Sequence, residues 1–182
     1  MMRKLIFLII LSLAAHIGFA QDIWISKNAT VNFFSSTVVE DIEAKSNTGA
    51  SVINAKSGEI IFKVSNTSFR FPKKLMEEHF NENYMESDKF SYSEFKGKIS
   101  GAFNTEKDGN YQVTVSGNLS IHGVAKAYSV PATISVSKGT LSAKTVFKVR
   151  IADHGIKVPS LVFKNIAETI DVKIQASYLP KQ

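Results

Sequence analysis

Much of the chain alternates apolar and polar residues with a period of two. In "NYQVTVSGNLSIHG", Tyr111, Val113, Val115, Leu119 and Ile121 fall on one phase, and Gln112, Thr114, Ser116, Asn118, Ser120 and His122 on the other. Successive side chains of a strand point to opposite faces, so this run predicts a half-buried antiparallel strand with one wet face. The alternation recurs in Ile60, Phe62 and Val64, and in Tyr128, Val130, Ala132, Ile134 and Val136. It returns in Leu141, Ala143, Phe147, Val149 and Ile151, and in Ile170, Val172, Ile174, Ala176 and Tyr178. Pro131 lies on the polar phase of its run, which predicts an edge position or a bulge.

Turn-forming residues punctuate these runs at Asn47–Gly49, Lys56–Gly58, Lys107–Asn110 and Ser137–Gly139. Such spacings describe hairpins, whereas parallel units need helices between strands. The expectation is an all-β chain of about eight antiparallel strands in up-and-down order, forming a closed barrel or a sandwich.

One segment breaks the period. In "FPKKLMEEHFNENYM", Leu75, Met76, His79, Phe80 and Tyr84 share one face at helical spacing, while Lys73, Lys74, Glu77, Glu78 and Glu82 cover the others. Pro72 suits a first helical turn, where its missing N–H costs nothing. A short helix near residues 73–84 is therefore predicted inside a β protein.

The first twenty residues follow a different grammar. Arg3 and Lys4 precede the apolar run "LIFLIILSLAA", and "GFA" ends in small residues. That is the pattern of a secretory signal peptide cleaved after Ala20, with residues 21–182 forming a single domain. The run is short of the roughly 20 residues a transmembrane helix needs. The sequence has no cysteine, which excludes disulfides and thiolate metal sites. An exported chain without disulfides points to a bacterial periplasm or exterior. The net charge of +6 includes Arg3 and Lys4, and the other basic residues are scattered, so no nucleic-acid footprint is formed.

No catalytic constellation emerges. His79, His122 and His154 are not at metal-ligand spacing, there is no GxSxG, and neighbouring carboxylates such as Glu77 and Glu78 diverge on a helix. No cofactor or metal is expected, and the chain reads as a non-enzyme. What is over-supplied is apolar bulk: Phe69, Phe71, Leu75, Met76, Phe80, Tyr84, Met85, Phe90, Tyr92 and Phe95 crowd one segment. Phenylalanine and methionine at this density suit an adaptable surface around an apolar ligand.

Three stretches resemble the YceI-like, polyisoprenoid-binding family. They are Met85-Glu-Ser87-Asp-Lys-Phe90-Ser91-Tyr-Ser-Glu-Phe95, Gly117-Asn-Leu119-Ser-Ile121-His-Gly123-Val124-Ala-Lys126, and Arg150-Ile-Ala-Asp153-His154-Gly155-Ile156. They occur in the family's order between Val31 and Ser177. Ser91 stands where the family usually has proline, and Ser120 and Ala125 where threonine is common; the first implies a looser entry into the following strand. The resemblance implies a lipocalin-like antiparallel barrel that holds an isoprenoid tail, of a quinone or polyprenyl lipid, in an interior tunnel. It also implies export and, often, homodimers. The residues themselves do not choose isoprenoid over another long-chain amphiphilic lipid.

From their phase on strand or helix, Phe33, Phe62, Phe80, Met85, Phe95, Val113, Val115, Leu119 and Phe147 are the expected tunnel residues. Arg150, Asp153 and His154 are the candidates for the head-group end. Two other classes stay open at this stage: an enzyme acting on a lipid-like substrate in the same barrel, and a ligand-free structural or protein-binding module.

Overall fold

The computed structural model describes residues 22–158 and 165–181, so the predicted leader and its cleavage after Ala20 lie outside the described residues. Eight strands follow one another around a closed barrel, each antiparallel to its neighbours: β1 (Ile23–Ser36), β2 (Asp41–Asn54), β3 (Glu59–Ser65), β4 (Tyr92–Ser100), β5 (Gly109–Ile121), β6 (Val124–Ser137), β7 (Thr140–Arg150) and β8 (Thr169–Pro180). Closure by β1 against β8 removes the exposed edges that an open sheet would carry. The up-and-down order, the strand count and the barrel are those the sequence predicts.

The Asn47–Gly49 signal is a correction. These residues do not reverse the chain; β2 runs straight through them. The irregularity is absorbed in the β1–β2 ladder, whose register shifts on either side of the Ala29–Gly49 pair. Gly49 is needed there for space: a Cβ would lie 2.8 Å from the Phe62 ring and 3.0 Å from the Ala29 carbonyl.

Between β3 and β4 the chain leaves the barrel wall. A short 3₁₀ turn, Asn66–Ser68, leads to helix α1 (Lys74–His79), which widens into a π turn over Phe80–Tyr84. The predicted helix is thus present but not uniformly α. The Asn81 side-chain amide donates to the Glu77 carbonyl, and the Met85 N–H reaches back to the Phe80 carbonyl, five residues away.

The two ends of the barrel are built differently. The β2–β3, β4–β5 and β6–β7 connections lie at one end, whose interior is solid. Trp24, Ile53, Ile99, Val113, Ile134, Val136 and Leu141 pack there, each at most 6% exposed. The opposite end carries α1, the π turn, the His122–Gly123 hairpin turn and a 3₁₀ turn at Ile151–His154. There the interior is hollow.

One seam is incomplete. β6 pairs with β5 along its whole length, from Val124 to Val136, but with β7 only over Ala132–Ser137. Pro131 stands where the β6–β7 ladder stops, as its missing N–H predicts, and its carbonyl accepts a 2.8 Å bond from the Thr145 hydroxyl. Above that point side chains span the gap. The Tyr128 and Phe147 rings meet edge-on at 5.9 Å, and Tyr128 Oη lies 3.0 Å from His154 Nε2.

Candidate ligand cavity

The hollow end encloses a cavity of about 340 Å³, within the common range of small-molecule sites. Its wall follows from the period of two: inward positions on one strand after another are aliphatic or aromatic. Val31, Phe62, Val64, Val115, Phe147 and Ile174 are among them. The outward positions, such as Lys63, Lys96, Thr114 and Lys148, carry the charge and polarity.

The roof is aromatic. Phe80, from the π turn, sits 5.5 Å from the Phe33 ring, 5.6 Å from Phe69 and 5.1 Å from Phe71. Phe33 in turn lies 5.6 Å from both Phe69 and Phe71. The Phe33–Phe80 pair is stacked and the others are tilted or edge-on, and aromatic pairs of this kind contribute about 0.5–1.5 kcal/mol each beyond burial. The four rings join β1, the segment after β3 and the helix into one cover.

Polar groups gather at the rim. Glu40, in the β1–β2 turn, accepts a 2.8 Å ion-pair bond from Lys73 at the start of α1. The Lys73 hydrogen bond holds the Glu40 carboxyl below its usual range, with Asn165 adding a weaker hydrogen bond of the same sign. His79 also borders the cavity. At the opposite, deep end lies Tyr178, whose hydroxyl donates to Ser51 Oγ at 3.0 Å. The Ser51 hydroxyl in turn donates a hydrogen bond to the Ile61 carbonyl at 2.9 Å. With its polar atom engaged by Ser51, Tyr178 bounds the cavity with its ring.

Of the tunnel residues read from the sequence, Phe33, Phe62, Phe80, Met85, Phe95, Val115, Leu119 and Phe147 line the cavity. Val113 does not. It sits one inward position deeper than Val115 on β5, and the barrel is already filled at that depth. The three expected head-group residues are also corrected, since none of them borders the cavity. Arg150 and Asp153 form a solvent-facing pair at 3.8 Å. His154 is fully buried, with Nδ1 2.9 Å from the Val124 carbonyl and Nε2 beside Tyr128, so it ties the 3₁₀ turn to β6.

The entry into β4 is pinned, contrary to the looseness implied by Ser91. Buried Asn66 donates its backbone N–H to the Ser91 carbonyl at 2.9 Å and its amide to the Phe90 carbonyl, and accepts from Ser93 Oγ at 2.8 Å. Asn66 does the fastening that proline does by stiffness. Asn66 did not stand out in the sequence, because a polar residue beside a strand carries no sign of what it will meet; Tyr178 was read as inward-facing, but its bond to Ser51 was not. Among the described residues, no group of three or more His, Asp or Glu is placed to hold a metal ion.

A closed up-and-down barrel, solid at one end and hollow and apolar at the other, defines a class of small β-barrels with an internal cavity. The YceI-like domain model matches residues 15–178, and the chain belongs to that family. A polyisoprenoid binding domain from Saccharophagus degradans, implicated in plant cell wall breakdown, superposes with a TM-score of 0.74 at 14% identity, covering 88% of this chain and 99% of that one. Burkholderia cenocepacia BcnA gives 0.70 at 16% identity, covering 82% of this chain and 95% of its own. The Campylobacter jejuni YCEI protein gives 0.62 at 16%, covering 76% and 85%. At such identities the likeness is one of fold. No curated protein matches the chain.

Proposed function

We propose that this protein is an exported carrier that holds one long-chain amphiphilic lipid of isoprenoid type, such as a quinone or polyprenyl lipid, for transport, storage or sequestration. The observation that carries the reading is the cavity: a wall mainly of Val, Ile, Leu and Phe, with Glu40 and His79 at its helical end and Glu94 and Lys144 as the other charged side chains that border it. Each methylene moved from water into such a space gains about 0.8 kcal/mol, so a long tail binds tightly without any chemistry. The head group lies at the helical end, near Glu40, Lys73 and His79, where charge and solvent meet the apolar wall. The Saccharophagus neighbour is described as a polyisoprenoid binding domain, which supports an isoprenoid tail for this chain too.

Export is part of the reading. It is supported by the leader grammar of residues 1–20 and the lack of cysteine, and makes residues 21–182 a single periplasmic or secreted domain. The test is organic extraction of the purified protein followed by mass spectrometry of the released lipid. A prenyl chain is the expected product. No co-purified lipid, together with no affinity for quinones or polyprenols, would sink the proposal.

A further inference from the structure

The cavity ends at one level on strand after strand. On β6, Ala132 borders it and Ile134 does not; on β7, Ala143 borders it and Leu141 does not; on β5, Val115 borders it and Val113 does not. The residues just below are close-packed, with Ile134 at 1% and Leu141 at 0% exposure. Tyr178 completes this floor from β8, and its hydroxyl is fastened to Ser51.

At that depth three successive strands carry alanine. Ala143 pairs directly with Ala176, and Ala132 sits on the adjoining strand opposite Thr145. The other inward positions along β8 above this point are Ile170, Val172 and Ile174, and along β7 they include Phe147 and Val149. The last part of the cavity therefore exists because these three side chains stop at Cβ. A larger residue at any of them fills it.

We infer that Ala132, Ala143 and Ala176, set against the Tyr178–Leu141–Ile134 floor, determine the length of tail the protein selects. The inference rests on the lipid-carrier reading above. A tail entering from the rim gains affinity with every methylene that finds wall, roughly four-fold each. Carbons that reach the floor gain nothing further, because Ile134, Leu141 and Tyr178 are already packed. Affinity should rise with tail length, then level off, and the break point reports the position of the floor.

The experiment is competition. Full-length mature protein is incubated with an equimolar series of isoprenoid alcohols, from geraniol upward by one isoprene unit at a time. It is then re-isolated, and the retained alcohols are quantified by mass spectrometry. The same is done for Ala143→Val and Ala176→Val, and for Ala143→Leu as a larger step. Ala143 is only partly buried, so its variants keep the test alive if the Ala176 variant folds poorly. The expected result is a break point in the wild type that moves to shorter chains in the variants, furthest for Ala143→Leu, with the loss of retention growing with tail length. A wild-type break point that the folded variants leave in place overturns the length-setting role while leaving the carrier reading intact. A wild type that retains no alcohol of any length overturns both.

Discussion

Tyr178 reaches over β1 to Ser51, joining β8 to β2 by a 3.0 Å hydrogen bond between residues 127 apart in sequence. Burial pushes the Tyr178 phenol up from its ordinary value of 10.0 to about 12, with the Ser51 bond opposing the rise. A raised phenol keeps its proton longer in the folded state than in the unfolded one. The stability it confers is complete below pH 10 and is lost as pH rises through about 12. Each tenfold difference in proton affinity is worth about 1.4 kcal/mol, so the loss is about 3 kcal/mol. Tyr178→Phe should cost about 1 kcal/mol near neutrality, for the lost hydrogen bond, yet lack this alkaline decline. Urea unfolding of both proteins across the alkaline range would show the two stability curves converging and crossing; parallel curves would refute the assignment.

The acid limb should depend on Glu86. Its carboxyl is held below the ordinary glutamate range, first by the hydrogen bond from Lys89 and next by that from His122, whose Nε2 lies 2.9 Å away. Glu86 and His122 both adopt positive φ, 42° and 49°, so the pair also clasps two unusual backbone conformations together. A depressed carboxyl contributes stability above the ordinary pKa and loses it as pH falls through the lowered one. Glu86→Gln should therefore melt earlier than wild type at neutral pH, and the gap should narrow in acid. A gap that stays constant from neutral to acid would exclude the ionic contribution.

Gly97 and Gly117 face each other across the β4–β5 ladder. A Cβ on Gly117 would run into the Lys96 carbonyl and the Gly97 Cα, both backbone atoms that cannot swing aside. Gly117→Ala should cost about 2–3 kcal/mol by forcing the strands apart. Gly109→Ala is the control, since its nearest neighbour would be the Tyr111 ring at an ordinary 3.5 Å. Chemical denaturation should separate the two variants clearly; equal costs would mean that the close approach is not the cause.

Phe80 is the one ring of the roof that comes from the helical segment. It is partly buried, so Phe80→Ala should cost about 2 kcal/mol, below the range for a fully buried phenylalanine. If the cavity holds a tail beneath this roof, the variant should release it faster, on the order of ten-fold for 1.4 kcal/mol lost from the bound state. Stopped-flow transfer of a fluorescent prenyl probe to acceptor vesicles would measure it, and unchanged release would take the roof out of the retention mechanism.

β3, β5, β6, β7 and β8 were legible because each states its own facing through the period of two, whereas β2 was hidden behind the turn residues Asn47–Gly49 that lie inside it. The cavity was half legible for the same reason: Phe95 and Leu119 declare an inward side chain from their neighbours alone. Depth was not. Val113 and Val115 look equivalent along β5, yet Val115 borders the cavity and Val113 packs among core residues from other strands. Those partners are brought together by register, which no local window contains. The Arg150–His154 stretch misled differently. Its charges suggested a head-group site, whereas Arg150 and Asp153 pair in solvent and His154 turns inward to fasten Val124 and Tyr128. Asn47–Gly49 carries good turn chemistry, and the long β1–β2 ladder overrode it.

The β6–β7 ladder that stops at Pro131 gives the molecule a purse-like construction, stitched at the base and gathered at the rim. Its backbone stitching there lies beside the solid core, while Tyr128, Phe147 and His154 only draw the upper edges together. The base can thus carry the cost of folding while the rim admits change. Substitutions around the mouth can retune what enters without unpicking the thread that keeps the barrel shut.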